Sequence, residues 1–441
     1  LVQDVHYRDS IREPMNDFFR FQNKALISAT PIVPEKDSRF DGFMRILIQP
    51  DYVYRQKLKL ITTNNVLETL QEVIEAKRGT VCIFCNSIDS IDSFYRLIPE
   101  LSNACTFCSE DGQYKLWKGN RRKKSMMITE LERYNFFTSR FYSAVDILCK
   151  NPPHVIFVSD LYGAAQSVID PATEAIQIIG RFRGGVNSVT HIASIRPELE
   201  CMSSSEIDHW IQGASTIFNG WKAQLTRTTN IGERTLLQEA IGENSYLPYL
   251  DENGKPDSFL IANFYEKEQV KRLYTSADLL HLAYEQTGYF VFSHEERLMP
   301  VSDNERMAIQ HRLAKKKRAE LIVRKLEEME KMSRATDKKI QKRYQRMLMN
   351  LITSTADRYI YDCFCRFGAK FVREADYNEN KLRTALNVSS EHTIKKSGQM
   401  RTYIQRAFPV GAEISVQEAK SMLRQVYKKM GLNTGRGITT K

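Results

Sequence analysis

The chain has 441 residues, 42% hydrophobic and 10% aromatic, which is room for roughly three domains and too apolar for a disordered chain. No run of about 18 apolar residues occurs, so no transmembrane helix is expected, and the start shows no basic–apolar–small leader pattern. The net charge of +11 is uneven: residues 301–441 hold 31 basic and 15 acidic side chains, leaving 33 and 38 to residues 1–300. The last third is therefore expected to meet a polyanion, most simply nucleic acid. The chain starts at Leu1 and ends with helical pattern still close to Lys441, and it is read as a piece of a longer protein.

In chain order, residues 1–21 show helical spacing through Ile11, Met15, Phe18 and Phe19. Lys24 to Pro31 then reads as a short buried strand entering a polar turn. Strand patterns follow at Ile46–Ile48, Leu58–Thr62, Val81–Cys85, Cys105–Cys108, Val155–Val158 and Val189–Ile195. Helical spacing separates them at Val66–Ala76, Ile91–Leu97 and Tyr134–Leu148. Such alternation predicts an α/β fold with a parallel sheet covered on both faces. Arg121 to Lys124 reads as a basic surface loop. Residues 198–300 change texture, with Trp210, Trp221, Tyr246, Tyr274, Tyr284 and Phe290 among many aromatics, and are expected to be mostly helical.

Ser302 and Glu305 form a capping-box pattern. It opens a long helical stretch with apolar positions from Ile309 to Leu351. Lys315, Lys316, Lys317, Lys338, Lys339, Lys342 and Arg343 decorate that stretch and are expected to grip phosphate. A small helical module closes the chain.

Cys82-x-x-Cys85 and Cys105-x-x-Cys108 have near zinc-ribbon spacing, but each pair lies in a strand pattern. Residues three apart on a strand point to opposite faces, so neither pair suits one ion. The eight cysteines read as reduced thiols of a cytoplasmic protein. His281, His294, Glu295 and Glu296 are the nearest approach to a metal or nuclease cluster and read as a solvated turn.

Three constellations carry chemistry. Ser28-Ala29-Thr30 sets two hydroxyls after a strand. Ser159-Asp160, with Asp170 further on, sets polar groups at the carboxyl end of another, where ligands of α/β sheets gather. Gln177-x-x-Gly180-Arg181-Phe182-Arg183-Gly184 places two guanidiniums on a compact turn, suited to phosphate oxygens and to the charge of a transferring phosphoryl group.

The series Ser28-Ala29-Thr30, Ile83-Phe84-Cys85-Asn86-Ser87, Ser159-Asp160 with Asp170, and Gln177-x-x-Gly180-Arg181 resembles motifs III, IV, V and VI of superfamily-two (DEAD/DEAH-type) helicases, in family order. More loosely, the chain resembles helicase proteins of phages and mobile elements of gut bacteria.

The resemblance implies that residues 1–24 end a first RecA-like lobe and that 25–197 form the second. An aromatic-rich accessory domain (198–300), a basic helical arm (301–355) and a helical module (356–441) would follow. It implies ATP hydrolysis with Mg²⁺, and single- or double-stranded nucleic acid as partner, DNA before RNA. A protein partner for the arm is a further expectation, and a membrane is not. Ser28 and Thr30 would couple the ATP and nucleic-acid sites. Asn86, Ser87, Ser109 and Ser159 would face the phosphate backbone; the resemblance covers about residues 1–197 only, and Lys315, Lys316 and Lys317 are added to this set on charge alone. Asp170 and Gly180 would line the nucleotide cleft. Gln177, Arg181 and Arg183 would close it, one arginine being the finger.

The family's second motif VI arginine position is Gly184 here, which leaves the finger open between Arg181 and Arg183. No G-x-x-x-x-G-K-[ST] loop and no Asp-Glu metal motif occur, so the chain by itself is expected to be inactive. The alternative is a non-catalytic nucleic-acid-binding or scaffold protein built on a helicase-like lobe.

Overall fold

The computed structural model describes residues 13–34, 37–117, 123–128, 130–143, 145–251, 253–299, 301–309, 313–333, 344–349, 352, 357–395, 398–411 and 413–432. Arg121, Arg122, Lys338, Lys339, Lys342 and Arg343 lie outside these residues. The chain divides into two compact units, Leu1–Asn304 and Glu305–Lys441.

The first unit is built on an eight-stranded sheet of order β4-β3-β5-β2-β6-β7-β1-β8. The strands are β1 (Gln56–Thr63), β2 (Val81–Phe84), β3 (Cys105–Phe107), β4 (Lys123–Ser125), β5 (Tyr134–Phe137), β6 (His154–Ser159), β7 (Ser188–Ser194) and β8 (Phe290–Arg297). Every pairing is parallel. The helices are α1 (Glu13–Phe18), α2 (Val66–Glu75), α3 (Ile88–Leu97), α4 (Glu110–Trp117), α5 (Glu174–Gly180), α6 (Ser204–Arg227), α7 (Ile231–Gly242), α8 (Ser258–Leu273) and α9 (Ala277–Gln286). The predicted α/β fold with a parallel sheet is what forms.

Strand alternation divides the apolar side chains between two cores. Val81, Ile83, Ile156, Val158 and Ile192 face α2 and α3. Cys82, Phe84, Val155, Phe157 and Val189 face α5 and the aromatic residues Tyr274, Tyr284 and Phe290. Cys82 and Cys85 thus fall on opposite faces, as do Cys105 and Cys108. Phe84, Phe137 and Phe107 stack in a row across three neighbouring strands, with centroids 5.0 and 4.8 Å apart. Asn65 and Ser87 cap α2 and α3 by accepting from the backbone N–H of Glu68 and Ser90.

Five expectations need correction. Tyr134–Phe137 is a strand, not the start of a helix: all four residues are buried, so both sides of the segment face the interior and no exposed helical face exists. Ile46–Ile48 forms no strand and stands exposed, as do Leu26 and Ile27 in the stretch read as a buried strand. His294, Glu295 and Glu296 lie in β8, not in a turn. His294 Nε2 is 2.8 Å from Thr62 Oγ1 and Glu295 pairs with Lys59 at 2.6 Å, so neighbouring β1 partners these two, while Glu296 is exposed. Finally, the chain does not divide at 197/198, because β8 completes the sheet beside β1 and brings residues 198–300 into the same unit.

The second unit contains helices Lys315–Ser333, Arg358–Glu374, Glu379–Lys395, Gly398–Ala407 and Val416–Lys429. Ala319, Ile322, Val323 and Leu326 are buried on the first, and Tyr359, Ile360, Cys363 and Phe364 on the second. The last two helices share a small core of Met400, Val426 and Leu432.

Candidate nucleotide site

Because all strands run one way, their carboxyl ends share one edge. Asn86, Ser109, Thr138, Asp160 and Ser194 lie at or just beyond those ends. Asp160 is buried and holds this edge together, accepting from Ser90 Oγ at 2.9 Å and from the Gly163 N–H at 3.1 Å. Asn86 is half-buried, its amide reaching the Gln166 carbonyl at 3.5 Å. Ser109 is exposed and turns onto the Gly112 N–H at 3.3 Å.

Leaving this edge, α5 buries Ala175, Ile178 and Ile179 against the sheet. Thr173, Gln177 and Arg181 then recur at four-residue steps, which puts them on one side of the helix along about 12 Å. The Gln177 amide donates to Thr30 Oγ1 at 2.7 Å and accepts from Arg181 Nη2 at 3.3 Å. Arg181 Nε also donates to the Gln177 carbonyl at 3.0 Å. Thr30, Gln177 and Arg181 therefore form one hydrogen-bonded unit from segments 147 residues apart. Ser28 supports it, its hydroxyl accepting from the Thr30 N–H at 3.1 Å. Gly180 closes α5 and Arg181 caps it.

The two arginines differ in their electrostatics. Arg183 is exposed and neutralised by Asp146 at 3.0 Å. Arg181 is half-buried and meets amide oxygens, with no carboxylate partner among the described residues. A guanidinium has five donors, so Arg181 keeps charge and donors available for an anion.

Asp170 opens the turn into α5. Its carboxylate accepts from the Ala172 N–H at 3.0 Å and from the Thr173 hydroxyl. It also shares a hydrogen bond with Glu266 of α8. Burial, helped by the Asp170 charge and that bond, pushes the Glu266 carboxyl up from 4.5 to about 7.

Two expected backbone-facing serines are placed elsewhere. Ser159 is fully buried between His191 Nε2 and Tyr274 Oη, each at 3.1 Å, because strand parity groups it with Val155 and Phe157 on the inner face. Ser87 is buried and spends its hydroxyl capping α3. Neither presents a hydroxyl to a strand of nucleic acid, which corrects the expectation for both.

In the second unit, Lys315 pairs with Glu379 and Lys316 with Asp376 at 2.7 Å. Lys317 is exposed. Arg318 binds the buried Asp357 at 2.6 Å and Arg373 pairs with Glu327. Acids outside the arm thus meet part of its charge. On helix Val416–Lys429, Lys420, Arg424 and Lys428 recur at four-residue steps away from buried Val426, with no ion pair among the described residues.

Among the described residues no three His, Cys, Asp or Glu side chains converge as metal ligands. No described helix is long and apolar enough to cross a membrane. Against protein-family models, curated proteins and solved structures, the chain matches none. Sequence reasoning missed Glu266, Tyr274, Tyr284 and His191. Their signal was limited to an aromatic-rich texture, since their partners are set by the fold.

Proposed function

We propose that this chain is the carboxyl-terminal portion of an ATP-dependent nucleic-acid helicase or translocase, supplying motif III to VI residues and an arginine finger. The observation that carries the reading is the Thr30–Gln177–Arg181 unit. Residues picked out separately as coupling and ATP-facing are hydrogen-bonded to one another. The under-neutralised guanidinium of Arg181 suits a γ-phosphate, where it would stabilise charge developing on the transferring group. Arg183, already paired with Asp146, is assigned a supporting role.

ATP is the substrate, and Mg²⁺ would supply charge neutralisation at its phosphates. The ion's ligands are not assigned to this chain, since no carboxylate group suited to it converges among the described residues. Asp170, held by Thr173 and Glu266, would line the sugar side of the cleft. A change at Arg181 on hydrolysis passes through Gln177 to Thr30, which links phosphate chemistry to movement of the Ser28–Thr30 segment. Asn86 and Ser109 at the sheet edge of the first unit would meet nucleic-acid phosphate, DNA before RNA, and the basic second unit is assigned the same class of ligand on its own charge.

The test is steady-state ATP hydrolysis by the full-length polypeptide with DNA or RNA oligonucleotides. Arg181→Ala is expected to lower kcat about a hundredfold, with KM changed less, and Arg183→Ala to do much less. Wild-type turnover in Arg181→Ala removes the finger assignment.

A further inference from the structure

Tyr274 caps α8 and its ring is fully buried. Its phenol oxygen is 2.7 Å from the Ile169 carbonyl, 2.9 Å from the Ile169 nitrogen and 3.1 Å from Ser159 Oγ. A phenol has one hydrogen to give. It goes to the Ile169 carbonyl, because the Ile169 N–H and the Ser159 hydroxyl both donate to the phenol oxygen.

The rest of the network then has one consistent assignment. With its hydrogen committed to Tyr274, the Ser159 oxygen accepts from His191 Nε2–H at 3.1 Å. His191 Nδ1 is left as an acceptor, and the Tyr284 hydroxyl supplies the hydrogen at 2.7 Å. This needs a neutral imidazole protonated on Nε2. His191 is fully buried, and burial pushes it down to about 3. Four side chains from α8, α9, β6 and β7 thus form one directed line ending on the backbone of Ile169.

We infer that Tyr274 is a positioning residue for Asp170, holding both peptide groups that flank Ile169 and so fixing where the next residue presents its carboxylate. Glu266, two turns earlier on α8, meets that carboxylate directly. The aromatic-rich segment thereby sets the geometry of the turn that opens α5. Tyr284 and His191 act further back, by orienting Ser159 and through it the phenol. The role for nucleotide binding rests on the ATPase reading above, whereas the clamp on Ile169 stands on its own hydrogen bonds.

The experiment pairs amide hydrogen exchange with ATP kinetics in the full-length protein, wild type and Tyr274→Phe. In the wild type, the Ile169 amide should be protected like the neighbouring sheet. In Tyr274→Phe its exchange should rise about tenfold or more while β6 and β7 amides hold theirs. KM for ATP should rise about tenfold with kcat changed less than about threefold, a split that a general loss of stability does not produce. An Ile169 amide that exchanges at loop rates in the wild type overturns the clamp, with no need of a variant. Unchanged KM in Tyr274→Phe, with the wild type active, overturns the positioning role and leaves the ATPase reading in place. A wild type without nucleic-acid-stimulated turnover overturns the ATPase reading and the positioning role together, and exchange at Ile169 still decides the clamp.

Discussion

Replacing Glu266 by Gln should change how stability depends on pH. The Glu266 carboxyl sits at about 7 in the folded chain against an ordinary 4.5, so folding favours its protonated form. Its contribution is fully present below 4.5 and is lost as pH rises through about 7, because above that the folded state must hold a second charge beside Asp170. At about 1.4 kcal/mol per tenfold the shift corresponds to roughly 3 kcal/mol, and residual solvent contact brings the expected effect nearer 2 kcal/mol. The side-chain amide of the Glu266→Gln variant keeps a donor for Asp170 at every pH and carries no charge. Urea unfolding of both proteins should therefore give similar stability at pH 4.5. Glu266→Gln should be more stable by about 2 kcal/mol at pH 8. His191, whose depressed value gives stability that is lost as pH falls below 6.5, has the opposite slope and cancels in the comparison. Parallel pH profiles for the two proteins would refute the shared proton between Glu266 and Asp170.

Two further outcomes follow from packing. Gly163→Ala would drive a methyl into Asp160 Oδ2 and place it 2.8 Å from Ser90 Oγ, so the Ser90–Asp160 bond must break. A loss of roughly 2–3 kcal/mol in chemical unfolding is expected, and a neutral result would show that the loop after β6 yields freely. Asp357→Ala strips the buried partner from Arg318, which is itself 20% exposed, and should cost about 3 kcal/mol in the unfolding of the second unit. A change below about 0.5 kcal/mol would place that pair among inert surface pairs.

β1 was legible because Leu58 and Leu60 alternate with the exposed Lys57 and Lys59, and β2 and β6 because strands buried on both faces are short continuous apolar runs. The same property hid β5, since Tyr-Asn-Phe-Phe has no polar side from which a period can be read. β8 was hidden because it ends in His-Glu-Glu-Arg, which only its edge position beside β1 allows to stay wet. Ile46–Ile48 shows the converse: an apolar run does not form a strand without a neighbour to pair with. Strand parity did carry one unused signal, since Ser159 shares its face with Val155 and Phe157 and so belongs inside. In the site, Thr30, Gln177 and Arg181 could be picked out by residue type and order, but their mutual bonds could not. Glu266 and Tyr274 had no local signature, because each acts on a turn roughly a hundred residues away. The arm's lysines read as unopposed because Asp376 and Glu379 lie beyond it in the chain.

On the proposed function, Thr30, Gln177 and Arg181 work as one unit in nucleic-acid-stimulated ATP turnover. A double-mutant cycle with Thr30→Val and Gln177→Leu in the full-length protein tests it most directly. Either change should lower kcat, and the double variant should be little worse than the poorer single, a coupling of at least about 1 kcal/mol. Losses that multiply independently, or a wild type whose turnover ignores nucleic acid, would contradict it.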